Sequence, residues 1–332
     1  MNPLRVALLH GEVPPDAAPD EQDVLVEVES VSAALRTLGH QPFAVPLSLQ
    51  LGDALAALRA LQPDLVFNLV ESVAGIGRLL HLGPALLDTL AIPYTGGSTD
   101  AIYLTTNKVL TKQWLAACGV PTPPWLALEE AIAQGGLPFP GPYIVKAVWE
   151  EASIGLEDDS IVADAAELLT GLERLRRRLA GRGPLFVERY VDGREFNISL
   201  LEEEGEPRVL PQAEIRFVDF PPGKPRFVGY RAKWDEESFE CRNTVRCFDF
   251  PPVDGPLLDR LAALSLRCWQ ACSVRGYCRV DFRVDAQGHP WVLELNVNPC
   301  ISPDGGFAAA AARAGLSHAE FVGRIVEAAL RR

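Results

Sequence analysis

The chain has 332 residues, 48% of them hydrophobic, enough to bury a sizeable core and build two or three lobes. A formal net charge of −13 repels nucleic acid and anionic membrane surfaces, so small molecules are the expected partners. The first apolar run, Val6-Ala7-Leu8-Leu9, is too short for a signal h-region or a membrane span. No later stretch reaches spanning length without charges, and a soluble, cytoplasmic protein is expected.

Residues 4–9 read as a strand. Val24, Val28, Val31, Leu35 and Leu38 recur at helical spacing and Gly39 follows as a stop, which predicts a helix over 23–38. A strand at 43–47, a short helix near 53–61, a buried strand at 65–70 and a helix over 79–90 follow. Ile92 to Gly97 reads as a strand running into a turn. This alternation predicts a parallel, Rossmann-like lobe over residues 1–100. A helix over 106–118 ends at Gly119, and the prolines of Val120-Pro121-Thr122-Pro123-Pro124 force an extended segment. A strand at 143–148, a polar loop at 149–160 and a helix over 164–180 complete a small middle lobe, residues 101–183. Strand patterns then dominate the third lobe, residues 184–332: 185–191, 195–202, 208–217 and 226–234. A helix over 254–274, two strands at 277–285 and 290–297, and two terminal helices close the chain. The last helix opens with a capping-box spacing, Ser317 to Glu320.

The seven cysteines are scattered. Cys268 and Cys272 lie one helical turn apart with Cys278 nearby, no fourth ligand accompanies them, and buried reduced thiols are the expectation. Lysine usage is more informative. Of 31 basic residues only five are lysine: Lys108, Lys112, Lys146, Lys224 and Lys233. Arginine serves almost everywhere that simple charge would do, so each lysine is a candidate for a role needing a compact ammonium.

The strongest local signal is Arg279-Val280-Asp281-Phe282-Arg283, a short turn, and Leu293-Glu294-Leu295-Asn296. Arg279, Asp281 and Arg283 share one strand face; Glu294 and Asn296 share one face of the next. A two- or four-residue hairpin loop pairs Asp281 with Glu294, with about 5 Å between the carboxylates; an odd loop breaks that pairing. Two readings fit. Hard oxygen donors suit Mg²⁺; alternatively, Arg279 and Arg283 pair with Asp281 and Glu294 in an ion network. Lys146 lies on a strand before the loop Trp149 to Leu156, a place from which a lysine can hold nucleotide phosphates. Lys108 near its helix start can do the same or be solvated. Neither a P-loop nor a Gly-x-Gly-x-x-Gly fingerprint is present. Phe186 to Phe196 is a strand, a turn at Asp192-Gly193 and a second strand, carrying carboxylates that suit nucleotide recognition, although the segment taken alone favours a hairpin with solvated charges.

Together these segments resemble the D-alanine–D-alanine ligase family of ATP-grasp enzymes, in family order from about residue 4 to residue 331. The resemblance is most specific at Asn107-Lys108-Val109-Leu110-Thr111-Lys112, Ile144-Val145-Lys146, Val187 to Phe196, Ala232-Lys233-Trp234, and Arg279-Val280-Asp281 with Glu294-Leu295-Asn296. It implies an α/β, ATP-grasp fold and a ligase that joins a carboxylate to an amine through an acyl phosphate. ATP and two Mg²⁺ ions are implied, Mn²⁺ being an alternative. The partners would be small-molecule carboxylate and amine substrates, amino acids above all, with a homodimer as an option. Lys108, Lys146 and Lys233 would hold phosphates, Glu188 and the Val191 backbone the adenine, and Glu195 the ribose. Asp281, Glu294 and Asn296 would hold the metals. Arg279 would steady the reacting carboxylate, Ser153 would lie near the substrates, and Glu21 would meet the first substrate's ammonium.

The departures are local. The lid is Glu151-Ala152-Ser153-Ile154-Gly155 rather than rich in glycine and serine. Trp234 stands where a tyrosine follows the motif lysine. Gly305 falls where the family places a serine for the second substrate's carboxylate. An altered acceptor is therefore expected, with Ser302 as a substitute for the missing serine if the loop folds differently. A genuine D-alanine–D-alanine ligase and a non-catalytic nucleotide-binding regulator are the alternatives.

Overall fold

A computed structural model describes residues 2–150 and 153–331; Glu151 and Ala152 of the expected lid lie outside the described residues. The first sheet is parallel, in the order β2–β1–β3, from β1 (Arg5–Gly11), β2 (Gln41–Leu47) and β3 (Leu65–Leu69). Helices α1 (Pro19–Thr37), α2 (Leu51–Leu61) and α3 (Leu82–Leu90) supply its connections. The expected strand at 92–97 is reduced to one bridge, Val66 to Tyr94, because the chain turns away at Gly96. The single helix expected over 106–118 is preceded by another: α4 (Thr99–Thr106) and α5 (Lys108–Ala117) meet at Asn107. That residue is extended and caps α5 by accepting a hydrogen bond from the Leu110 amide.

The middle sheet runs β4–β7–β5–β6, from β4 (Trp125–Ala127), β5 (Tyr143–Ala147), β6 (Ile161–Val162) and β7 (Leu185–Arg189), with α6 (Leu128–Ala133) and α7 (Ala165–Arg178) beside it. It has its own core, which includes Leu128, Tyr143, Val145, Leu168, Leu175 and Val187.

The largest sheet runs β11–β10–β8–β12–β13, with β9 added to β8. Its strands are β8 (Arg194–Glu203), β9 (Glu206–Val209), β10 (Ala213–Phe217), β11 (Thr244–Cys247), β12 (Tyr277–Val284) and β13 (Pro290–Asn296). The stretch read as one strand over 208–217 is thus two. The stretch read as a strand over 226–234 is instead loop followed by a helix, α8 (Tyr230–Trp234), and α9 (Phe239–Asn243) comes next. The remaining helices are α10 (Gly255–Ala271), α11 (Gly306–Arg313) and α12 (His318–Leu330), the last with the expected Ser317–Glu320 capping box.

Period-two patterning divides this sheet into a core face and a working face. Phe196, Ile198 and Leu200 of β8 and Cys278, Val280, Phe282 and Val284 of β12 enter a core that also contains Ala7, Leu9 and Val66 of the first sheet. Glu195, Asn197, Ser199, Arg279, Asp281 and Arg283 take the opposite face. A second core joins α1, β1 and β3 to α11 and α12. Cys268, Cys272 and Cys278 are buried free thiols, and burial pushes the Cys268 and Cys272 thiols up to about 12. Among the described residues no helix is long and apolar enough to cross a membrane.

Candidate active site

The hairpin of β12 and β13 reaches the expected pairing by an unexpected route. Its loop, 285–289, has five residues, an odd number that by itself would misalign Asp281 and Glu294. Val284, Arg283 and Phe282 pair with Pro290, Trp291 and Val292; the register then shifts by one, and Asp281 faces Glu294 and Arg279 faces Asn296. Leu293 is the extra residue, a β-bulge beside the two carboxylates.

Those carboxylates are held by different cations. Arg279 grips Asp281 bidentately, Nε to Oδ1 at 2.7 Å and Nη2 to Oδ2 at 2.8 Å, and Asn197 Nδ2 donates to the same Oδ1 at 2.8 Å. Glu294 meets Lys108 Nζ at 3.2 Å. Burial pushes the Glu294 pKa up, but the attraction of Lys108, Lys233, Arg279 and Lys146 outweighs it and holds the carboxyl well below the usual range. Arg283, expected to serve these carboxylates, pairs with Glu195 at 3.0 Å and donates to the Gly193 carbonyl at 2.9 Å. Burial raises the Glu195 pKa, with Arg283 opposing. Asn296 accepts from the Asn298 amide at 2.9 Å.

The lysines converge from three elements. Lys108 opens α5, whose first amide donates to the Val148 carbonyl just past β5, fixing the helix start against the strand that carries Lys146. Glu188 of β7 is buried between Lys112 and Lys146, one carboxylate oxygen toward each. Burial raises the Glu188 pKa, but the two ammoniums more than offset it and the net shift is downward. Lys233 of α8 lies within electrostatic reach of Arg279, Glu294, Asp281 and Glu195. Val191 is buried at the start of the turn into β8. In that turn Gly193 approaches so closely that a Cβ would stand 2.0 Å from the Val284 carbonyl oxygen.

Glu21 and Ser153 are held by contacts of their own. The Glu21 carboxylate packs over Gly75. Ser153, at φ 61°, donates to the Val228 carbonyl at 2.7 Å and so ties the lid loop to the segment before α8.

The sequence reading missed a second charged group where the loop after β13 docks on α1. Glu27 is buried and accepts from the Ile301 amide at 2.7 Å. Its carboxylate, those of Glu71 and the Cys300 thiol come within 4.8 Å of one another. Burial, reinforced by the Glu71 charge, drives the Glu27 pKa well above the usual range. Helical spacing places Glu27 on the face carrying Val24, Val31 and Leu35, the one signal that could have marked it. Lys112, four residues after Lys108, was legible in the same way. Ser302, the candidate substitute for the missing serine, is not open to solvent: it is buried, with its hydroxyl sealed off. Nor could a side chain be added simply at Gly305, since a Cβ would lie 2.9 Å from the Ser302 carbonyl oxygen.

Residues 115–327 match the family model described as D-ala D-ala ligase C-terminus. An uncharacterized protein of Sinorhizobium fredii is 31% identical over 312 residues, covering 92% of this chain and 87% of the relative. The D-alanine–D-alanine ligase of Methylococcus capsulatus is 31% identical over 328 residues, covering 97% and 95%. The D-alanine–D-alanine ligase of Bacillus anthracis, solved with ATP, superposes with a TM-score of 0.73 at 22% identity, over 99% of this chain and 98% of that one. The fold is therefore ATP-grasp, and the chain belongs to the D-alanine–D-alanine ligase family.

Proposed function

We propose that this chain uses ATP to convert a substrate carboxylate to an acyl phosphate and then joins it to the amine of an amino acid other than D-alanine. The observation that carries this reading is the convergence of Lys108, Lys146 and Lys233 around Glu294, beside the paired Arg279 and Asp281. The ammoniums offset the negative charge of a triphosphate in an otherwise acidic protein. Arg279, steadied by Asp281, presents its guanidinium to the reacting carboxylate and the oxyanion formed when the amine attacks.

The donor set fits a hard divalent cation: two carboxylates, one of them kept ionised by its surroundings, and an amide oxygen. Asp281, Glu294 and Asn296 would hold Mg²⁺, which neutralises phosphate charge when bound. Glu195 suits the ribose hydroxyls and the Val191 backbone the adenine edge. We assign Glu188 first to positioning Lys112 and Lys146, and to adenine only as a shared acceptor. Ser153 belongs to lid closure and Glu21 to the amine end of the first substrate.

The altered acceptor is supported by the loop between Cys300 and Gly306. It carries no side chain at Gly305, hides Ser302, and lies against the Glu27, Glu71 and Cys300 group. The names of the relatives favour a second reading, that D-alanine is the acceptor. A phosphate-release screen across D- and L-amino acids, singly and in pairs, with mass spectrometry of products, separates them. Fastest turnover on D-alanine alone, with D-alanyl-D-alanine as product, would remove the altered acceptor.

A further inference from the structure

The working face of the large sheet extends to its far edge. Arg246 of β11 pairs with Ile215, Ile215 with Glu195 and Glu195 with Arg283, so one row of side chains crosses four strands. Directly paired residues share a face, which puts Arg246 on the face of Arg279 and Asp281. The two arginines that β12 places on that face are each tied to a carboxylate, Arg279 to Asp281 and Arg283 to Glu195. Among the described residues no carboxylate oxygen lies within ion-pairing distance of Arg246.

Its guanidinium is aimed at a definite place. Arg246 Nη2, Nε and Cζ lie 3.6, 3.8 and 3.9 Å from where a Cβ on Gly306 would be. Gly306 is the first residue of α11, and Gly305 before it gives the helix no side-chain cap. The first-turn amides and the positive end of the helix dipole therefore face the same space as the guanidinium. Arg279 adds a third positive contribution, while Asp304 is the opposing negative charge. The Arg246 guanidinium and the uncapped helix start, with Arg279 beyond them, favour an anion in the space they share, and Asp304 offsets part of that charge. Lys108 and Glu294 lie toward the opposite edge of the same face: β11 and β12 are three strand spacings apart, roughly 14 Å between backbones, so the Arg246 guanidinium is offset from a phosphate held there.

We propose that Arg246 is the specificity-determining residue for the acceptor: its planar fork binds the carboxylate of the attacking amino acid over the first turn of α11. This rests on the ligase reading above and deepens it. A guanidinium arriving from β11 takes the place of a hydroxyl from the α11 start, and Gly306, which has no Cβ, leaves the space in front of it clear. A carboxylate meets the fork bidentately, whereas a carboxamide offers one oxygen and no charge.

The test uses the full chain, ATP, and a panel of D- and L-amino acids with their matching carboxamides, read by phosphate release. Wild type should favour acids over their amides as acceptor. Arg246→Gln should raise the acceptor KM for acids roughly ten- to hundred-fold, with a smaller change in kcat and none in the KM for ATP or for amides. Arg246→Lys should recover part of the loss. Circular dichroism checks that these substitutions on an exposed edge strand leave the fold unchanged. Equal losses on acids and amides, or no loss on acids, would overturn the assignment. Should wild type turn over no pair, the ligase reading fails by itself. Arg246 is then judged by calorimetric titration of the same acids and amides with a non-hydrolysable ATP analogue present. Acid-selective binding that disappears in Arg246→Gln upholds the inference, and its absence overturns it.

Discussion

Lys112 Nζ lies 2.5 Å from a Glu188 carboxylate oxygen, with the two side chains 2% and 1% exposed. Lys112 also donates to Thr122 at 2.8 Å, and the other Glu188 oxygen meets Lys146. This pair binds α5 to β7 beneath the lysines of the site. Lys112→Met leaves a buried carboxylate with one ammonium where it had two. Removing one partner of a buried pair costs about 3 kcal/mol or more. Urea denaturation should show that loss, and Lys112→Met with Glu188→Leu should recover much of it. A single variant as stable as wild type would mean the pair adds little.

Glu294→Gln keeps the shape of the side chain and removes the charge that Lys108, Lys233, Arg279 and Lys146 surround. Turnover should fall by about a thousandfold or more, with circular dichroism and thermal midpoint little changed. Because the Glu294 carboxyl is held below the usual range, it stays ionised in mild acid. An acidic limb of the activity profile near about pH 5 should therefore come from other groups. ADP release at the wild-type rate, with true substrates present, would sink the metal assignment.

Glu27 gives the opposite pH dependence. Burial and the neighbouring Glu71 raise its folded pKa well above the unfolded value. Above the ordinary carboxylate range the unfolded chain has released this proton while the folded chain still holds it. Stability therefore falls as pH rises between the two pKa values. Glu27→Gln, which keeps an acceptor for the Ile301 amide, should gain on wild type as pH rises from about 5 to about 8. Denaturant midpoints at the two ends measure it, and an unchanged gap between the proteins would rule the idea out.

Gly193→Ala should be costly for a steric reason. The added methyl would lie 2.0 Å from the Val284 carbonyl oxygen, and φ of 155° is a backbone region that suits glycine. A loss of about 2–3 kcal/mol is expected as β8 and β12 move apart. Since the turn joins Val191 to Glu195, the KM for ATP should rise as well. Calorimetry and an ATP titration of phosphate release read the two effects, and a variant with wild-type stability would contradict the close approach.

Much of the molecule was legible in residue order alone. Helical and strand periodicity located β1, α1, β3, α7, β8, α10, β12 and α12, because burial selects apolar residues at the period of the element. The scarcity of lysine singled out Lys108, Lys112, Lys146 and Lys233, together with Lys224, which instead pairs with Asp158 and Glu240, and the strand faces singled out Asp281, Glu294 and Asn296. Other features depended on contacts between distant segments. The odd hairpin loop alone would have argued against the Asp281–Glu294 pair, and only the bulge at Leu293 restores it. The segment before Trp234 read as a strand and is a short helix, because five residues carry too few turns to show a period. Glu27, Glu71 and Cys300 are far apart along the chain. So are Arg246 and Gly306. Composition and spacing describe what each segment can bury, whereas which charge faces which is settled when the sheets and helices pack.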